Sequence, residues 1–154
     1  MSVKHRMAIT AMSLSAAGLV GILGFEGYSG KAYIPVPGDV PTIGFGTTEG
    51  VKMGDTITPV KAVERAYRDT DKVHKAIFKC VKVPLSQGEY DAFISFAYNV
   101  GPWNFCRSTL VKKLNQGDYE GACLEMKRWI YKDGVVLNGL VTRREEEYQR
   151  CMTR

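Results

Sequence analysis

The sequence predicts an α+β fold in which a mostly helical body carries a small β-hairpin. Helix start and stop signals recur from residue 58 to the end of the chain. Two short β-compatible runs flank a Pro-Gly-Asp turn at residues 37–39. An uncharged apolar run fills residues 7–25. With 154 residues, the chain is long enough to bury roughly two-thirds of its unfolded surface.

The apolar run at residues 7–25 follows a basic cluster of Lys4, His5 and Arg6. As a helix it would reach roughly 28 Å, close to the ~30 Å hydrocarbon core of a bilayer. Its Gly, Ser and Thr residues dilute the hydrophobicity, which predicts a marginal membrane anchor. The alternatives are a cleaved signal peptide, with small residues at 15–17 for the cleavage site, and an ordinary buried helix.

Capping residues predict where most of the helices begin. Those residues are Thr58, Ser86, Ser108 and Asp118. Glu89 stands three positions after Ser86 and completes a capping box. The helix that follows, to about residue 100, is apolar around its whole girth and is therefore expected at the centre of the body. Residues 140–154 predict a closing amphipathic helix.

The predicted hairpin pairs residues 33–36 with residues 42–45. It would present Asp39 at its turn and Thr42 on its return strand. Glu26 directly follows the apolar run. An irregular segment between two helical regions is where a cleft is most easily placed, so residues 25–47 are the candidate functional region.

Glu26 and Asp39 have the chemistry that hydrolysis of a glycosidic bond needs. One acid must be protonated to donate to the leaving oxygen, and the other must be ionised. Glu26 follows an apolar segment and is expected to be the protonated acid, whereas Asp39 lies on a polar turn. Thr42 would hydrogen-bond the attacking water. The alternative is structural, with Glu26 as a salt-bridge partner and Asp39 as a turn former.

The charge balance and the cysteines narrow the possible partners and ligands. A net charge of +5 favours an anionic partner, which would be nucleic acid, anionic lipid or an acidic wall polymer. Nucleic-acid binding has no motif to support it.

Four cysteines form either two disulfides or buried thiols. The absence of a CxxC motif and the presence of only two histidines argue against a zinc site.

A resemblance to a known family adds to these observations. Glu-Gly at 26–27, Ala-Tyr at 32–33 and PTIGFGT at 41–47 resemble the motif of the bacteriophage lysozymes of glycoside hydrolase family 24, in particular their signal-arrest-release endolysins. Residues 83–101, 105–123 and 139–147 extend the resemblance over nearly the whole chain. It implies a lysozyme-like fold and a muramidase that cleaves the β-1,4 bond between N-acetylmuramic acid and N-acetylglucosamine in peptidoglycan, without cofactor or metal.

The same resemblance implies roles for five residues. Glu26 would be the general acid, Asp39 the second carboxylate and Thr42 the water-positioning hydroxyl. Tyr98 and Ser108 would contact the substrate.

Two positions depart from the family pattern. Pro35 stands nine residues after Glu26, where the family usually has its second acid. Either the hairpin is rebuilt to bring Asp39 into place, or the enzyme works with Glu26 and a water held by Thr42. Thr47 stands where relatives often have His, so an ion pair made by that His is absent.

The resemblance also predicts how the chain is delivered. Residues 1–25 would be a signal-anchor that tethers the protein to the inner membrane after export to the host periplasm, and residues 26–154 would be the catalytic domain. A monomer with oxidised cysteines is expected. The sequence allows three connectivities and does not fix which one forms; Cys106–Cys123 with Cys80–Cys151 is one of them. The rival functions are a lytic transglycosylase acting on the same bond and a non-catalytic, membrane-tethered wall-binding protein.

Overall fold

The computed structural model describes residues 4–153 and shows the predicted fold class, mostly helical with small two-stranded sheets. Its helices and strands are α1 (Ala16–Glu26), β1 (Ser29–Tyr33), β2 (Thr42–Gly44), α2 (Pro59–Ile77), α3 (Gln87–Val100), α4 (Pro102–Arg107), α5 (Thr109–Asn115), α6 (Tyr119–Glu125), β3 (Tyr131–Lys132), β4 (Val135–Val136) and α7 (Asn138–Met152).

The chain forms two compact units. The terminal unit contains the chain up to Gly18 together with the chain from Val73 onward, and the central unit is Leu19–Lys72. The candidate acids Glu26 and Asp39 belong to the central unit. The predicted boundary at residue 25 separates a signal-anchor from a catalytic domain by their functions, whereas the two units are defined by contacts. The functional boundary stays a prediction.

Helix α3 is the core of the terminal unit, as its apolar girth predicts. Every residue from Glu89 to Ala97 is buried. The capping box forms, because the Ser86 hydroxyl accepts from the Glu89 amide at 3.3 Å and the Glu89 carboxylate accepts from the Ser86 amide at 2.8 Å. α3 packs against α7, and Phe96 contacts Phe105 of α4 edge to face. A local signal of four residues therefore fixes where the central helix begins.

A short hairpin precedes the closing helix. Tyr131 pairs with Val136 and Lys132 with Val135, which leaves Asp133 and Gly134 as the two turn residues. Both have positive φ, 51° and 79°. An Asp-Gly pair favours this conformation, so the hairpin follows from local turn chemistry.

The four cysteines form two disulfides, Cys80–Cys106 and Cys123–Cys151, and not the pairing Cys106–Cys123 with Cys80–Cys151 that the sequence also allowed. The Cα atoms lie 5.6 and 5.8 Å apart, within the range that a disulfide spans. Cys123 lies on α6, which packs against α7 and its Cys151. Cys80 follows the end of α2, and its partner Cys106 lies on α4. The pair Cys123–Cys151 thus follows a contact between helices that sequence spacing does not reveal. Both disulfides belong to the terminal unit.

The apolar run at residues 7–25 does not form one helix. Met7 pairs with Leu85 through two backbone hydrogen bonds of 2.8 Å, and a 3₁₀ turn at Ile9–Ala11 follows. The Ser15 hydroxyl accepts from the Gly18 amide at 3.0 Å and caps α1, which explains why the helix begins at Ala16. Within the described residues, no helix has both the length and the apolar character needed to cross a membrane.

Residues 4–18 are held on the terminal unit by ionic contacts with α3, which we call the N-terminal clasp. Arg6 donates from Nη2 and Nε to the two carboxylate oxygens of Glu89, at 2.7 and 3.0 Å. Lys4 lies 3.4 Å from the same carboxylate. Farther along, Ser15 donates to the carboxylate of Asp91 through its hydroxyl, at 2.5 Å, and through its amide, at 3.1 Å.

Burial alone would raise the pKa of Glu89, but its partners reverse the effect. Hydrogen bonds from Arg6 and from the backbone of Ser86, with the charges of Arg6 and Lys4, outweigh desolvation, so the pKa lies below its ordinary value. Because the folded-state pKa is lower than the unfolded one, Glu89 contributes stability above the unfolded pKa of about 4.3. That contribution is lost as the pH falls through the folded pKa.

We expect Arg6→Gln to lower the free energy of unfolding by about 2 kcal/mol at pH 7, because it removes charged hydrogen bonds from a buried carboxylate. The loss should shrink as the pH falls from about 4.3 through the lower folded-state pKa of Glu89, because the carboxyl group is then protonated. Urea unfolding at pH 7 and pH 3 measures both values. Lys61→Gln, which breaks an exposed pair with Glu64, is the matched control and should cost little. An equal loss at both pH values for Arg6→Gln would contradict the ionic clasp.

Candidate active site

Glu26 is the last residue of α1 and is half-buried. The next residue, Gly27, has φ of +69°, and its amide donates to the Leu23 carbonyl at 3.1 Å. A glycine with positive φ is the common way to end a helix, since a side chain there is strained. The Glu-Gly pair therefore stops α1 directly after Glu26 and leaves its carboxyl group at the helix end.

A tight loop of the PTIGFGT segment lies under the Glu26 carboxylate. Ile43 and Thr47 exchange backbone hydrogen bonds of 2.9 and 3.0 Å, which close a three-residue loop. Gly46 in this loop has φ of +88°, and a Cβ atom added to it would lie 3.2 Å from Glu26 Oε2. Gly46 is thus required both by its own backbone and by the closeness of the carboxylate.

Thr47 anchors this loop to α2. It is buried, and its hydroxyl donates to Asp69 Oδ2 at 2.6 Å. At the position where relatives often have His, this chain has a hydroxyl-carboxylate hydrogen bond with only one charged partner. The loop under Glu26 is therefore held without the ion pair that a histidine would make.

The hairpin that carries the other candidate residues begins earlier than predicted. β1 is Ser29–Tyr33 rather than residues 33–36, and Tyr33 lies opposite Thr42. The other edge of β1 pairs with a later segment, since Lys31 bridges Thr56. This extra partner, distant in sequence, explains why the strand lies closer to Glu26 than local β propensity suggested.

Asp39 lies in the connection between β1 and β2, at a turn as predicted. Its amide donates to the Val36 carbonyl at 3.0 Å across Pro37 and Gly38, and Gly38 has φ of +88°. The carboxylate is exposed and accepts from the Val40 amide at 3.0 Å. Asp39 therefore has the local contacts of a turn former.

Thr42 is the first residue of β2 and is buried. Its hydroxyl donates to the Val40 carbonyl at 3.2 Å. Because the proton is used in this way, the oxygen retains lone pairs that can accept a hydrogen bond from another donor.

An open cavity of about 320 Å³ lies beside Glu26. Within the part of the chain that the structure describes, it is lined by Glu26, Gly27, Tyr28, Ser29 and Tyr33. Asp39 and Thr42 are not among the lining residues. The sequence had not singled out Tyr28 as a site residue, although an aromatic residue two positions after the candidate acid was a visible signal.

Tyr98 and Ser108 belong to the terminal unit. Tyr98 lies near the end of α3 and is half-buried. Ser108 is the cap of α5, as predicted: its hydroxyl donates to the Phe105 carbonyl at 2.6 Å and accepts from the Val111 amide at 3.4 Å. These backbone contacts account for the buried hydroxyl of Ser108, and the substrate-binding roles of both residues stay predictions.

The Glu26 carboxyl group at the end of α1, in the wall of an open cavity beside the β1–β2 hairpin, suits a glycoside hydrolase of the lysozyme type. The sequence model described as phage lysozyme matches residues 23–147, and the chain belongs to this family. It is 39% identical over 142 residues to a protein named SAR-endolysin of Pseudomonas phage phiKMV, covering 89% of this chain and 87% of the relative. The family predicted from the motif is confirmed.

Solved structures agree with this assignment. The muramidase domain of SpmX from Asticaccaulis excentricus superposes with a TM-score of 0.86 at 29% identity, covering 92% of this chain and 99% of that one. The endolysin of the Escherichia coli phage FAHEc1 gives 0.81 at 37% identity, covering 92% and 94%. The chain is thus a phage endolysin-type lysozyme by family and by fold.

A further solved structure has the same fold. The active form of the phage P1 endolysin Lyz superposes with a TM-score of 0.80 at 25% identity, covering 93% of this chain and 86% of that one.

We expect Thr47→Val to lower the free energy of unfolding by about 1–2 kcal/mol, because the isosteric change leaves Asp69 without its hydroxyl donor. Chemical denaturation measures the loss. Thr48→Val, at the adjacent exposed position, is the matched control and should change stability little. If both variants unfold alike, the hydrogen bond to Asp69 does not anchor the loop.

Proposed function

We propose that this lysozyme hydrolyses the β-1,4 bond between N-acetylmuramic acid and N-acetylglucosamine in peptidoglycan, and so lyses the host. The position of the Glu26 carboxylate, at the end of α1 and in the wall of the open cavity, carries the proposal. Glycoside hydrolysis needs an acid beside the leaving oxygen, in a cleft that a polymer can enter. The basic composition suits an anionic wall polymer.

In the proposed reaction Glu26 protonates the leaving oxygen as the glycosidic bond breaks. The Thr42 oxygen accepts a hydrogen bond from the attacking water, since its own proton is donated to the Val40 carbonyl. Asp39 supplies the second carboxylate, which stabilises positive charge on the sugar ring or activates the water. Asp39 is exposed and does not line the cavity. For this role, the β1–β2 connection that carries Asp39 would have to move toward the glycan when it binds.

A second candidate is a lytic transglycosylase acting on the same bond. One observation favours it. Within the part of the chain that the structure describes, Glu26 is the only acid that lines the cavity. A single Glu can protonate the leaving oxygen while an intramolecular hydroxyl of the muramic acid replaces water as the nucleophile. The product would be an anhydro sugar instead of a reducing end.

We expect Glu26→Gln to lower wall-clearing activity by about 10²- to 10⁴-fold, the usual contribution of a general acid, while the thermal midpoint changes little. Turbidity clearing and thermal unfolding measure the two effects. Mass spectrometry of the wild-type digest should show reducing muramic acid ends. Anhydromuramic ends would identify the transglycosylase, and retained clearing by Glu26→Gln would falsify the role of Glu26.

The same assay tests the second carboxylate. Asp39→Asn should lower activity strongly if the β1–β2 connection brings Asp39 to the substrate. Pro35→Asp restores an acid at the usual family position and should rescue Asp39→Asn in the double variant. If Asp39→Asn keeps full activity, Glu26 works with a water held by Thr42 alone.

We also propose that the chain is exported, held on the inner membrane by residues 7–25, and then released into the host periplasm. The name SAR-endolysin, given to relatives at 35–39% identity, supports this topology. Two disulfides suit an oxidising compartment. Peptidoglycan is then reached from the periplasmic side.

The N-terminal clasp suggests how release is coupled to folding. While residues 7–25 lie in the bilayer, Lys4 and Arg6 stay at its cytoplasmic face, and Arg6 cannot pair with Glu89. The carboxylate of Glu89 would then lack Arg6, and that of Asp91 would lack Ser15. Release lets both acids bind the segment, which stabilises the soluble form relative to the tethered one.

We expect Thr10→Leu with Gly24→Leu to keep the protein on the membrane and to delay lysis, because both changes raise the hydrophobicity of the segment. Both positions are exposed, and a Cβ atom at Gly24 meets nothing within 4 Å, so the released fold is not disturbed. Gly18 is unsuitable, since its Cβ would lie 2.8 Å from Asp91 Cγ. Membrane fractionation and the time of lysis measure the effect.

Thr10→Ser with Gly24→Ser is the matched control and should fractionate as the wild type does. The proposal fails if the double leucine variant is soluble and lyses cells at the normal time.

A further inference from the structure

The cavity beside Glu26 has two aromatic walls that the proposed reaction does not yet use. Tyr28 and Tyr33 both line the cavity, and they are 45% and 41% exposed. The Ser29 hydroxyl between them donates to the Lys31 carbonyl at 2.7 Å and is occupied. Apart from the carboxyl group of Glu26, the side chains of this cavity therefore offer mainly aromatic surface.

Two contacts hold Tyr28 in place. Its hydroxyl donates to the Ile57 carbonyl at 2.8 Å, and its ring packs against Phe45 with centroids 5.5 Å apart. Gly30 leaves room for the hydroxyl, since a Cβ there would lie 3.0 Å from it. A side chain fixed in this way loses little conformational entropy when a ligand binds.

The way Tyr28 is fixed also decides what it can bind. The hydroxyl proton of Tyr28 is donated to the Ile57 carbonyl. The side chain therefore offers the cavity the carbon surface of its ring rather than a hydrogen-bond donor. A pyranose ring presents an apolar C–H face and polar edges, so it matches an aromatic wall next to a carboxyl group. Aromatic side chains beside a few placed polar groups are the usual composition of a ligand site.

We propose that Tyr28 is a substrate-binding residue, whose ring packs against the N-acetylhexosamine ring adjacent to the bond that Glu26 cleaves. Tyr33 forms the second wall of the same subsite. The inference rests on the proposed function and deepens it, because it assigns the recognition of the sugar ring to a residue outside the acid and hydroxyl set. Recognition of this kind acts on the glycan and does not depend on the stem peptide.

The test measures binding of a peptide-free tetrasaccharide of alternating N-acetylglucosamine and N-acetylmuramic acid to Glu26→Gln protein by calorimetry. Adding Tyr28→Leu should raise Kd about three- to tenfold, the worth of one aromatic contact. Adding Tyr28→Phe should leave Kd within about twofold, since the ring remains. In the active enzyme, Tyr28→Leu should raise KM more than it lowers kcat.

Tyr67→Leu is the matched control, because Tyr67 is an exposed tyrosine on α2 that does not line the cavity. It should leave Kd unchanged. An unchanged Kd for Tyr28→Leu would overturn the inference. So would equal losses for Tyr28→Phe and Tyr28→Leu with a lowered thermal midpoint, which would assign Tyr28 a structural role through Ile57. If Glu26→Gln alone proves inactive while Tyr28→Leu binds normally, only this inference fails; an active Glu26→Gln refutes the proposed function instead.

Discussion

The buried carboxylate of Glu89 is the constraint on which the terminal unit depends. It accepts the Ser86 amide at the start of α3 and the guanidinium of Arg6 from the beginning of the chain. A buried acid with one of these partners missing would be costly, so the cap of the central helix and the docking of the N-terminal residues stabilise each other. The position of residues 4–18 is therefore set by the same group that begins the core helix.

In the central unit the corresponding constraint is the room that the Glu26 carboxyl group needs. Glu26 reaches the cavity only because Gly27 ends α1 without a side chain and because Gly46 leaves room under the carboxylate. Thr47 then ties the loop to Asp69. Each of these residues acts on the position of a single carboxyl group. The hydroxyl of Thr47 is thus the group that holds this loop on α2.

Local signals in the sequence were sufficient for the elements that depend on neighbouring residues. The capping box at Ser86 and the cap at Ser108 appear where they were predicted, because each needs only the next three residues. Local signals did not predict the features that depend on contacts between segments distant in the sequence. β1 is displaced by its pairing with residues near Thr56, and Cys123 pairs with Cys151 because α6 packs against α7. The candidate acid Glu26 was found from its motif, but the aromatic wall at Tyr28 became visible only when the cavity was known.

The terminal unit is built from both ends of the chain. The Lys4 ammonium group donates to the carbonyl of Cys151 at 2.8 Å, across a sequence separation of 147 residues. Contacts with such separations form late, because the entropy of closing a long loop must be lost before they stabilise anything. The slowest step in maturation is then expected to be the arrival of the first residues, after the rest of the polypeptide has condensed. The segment of residues 4–18 is therefore expected to complete the terminal unit last, although it precedes helices α3 to α7 of that unit in the chain.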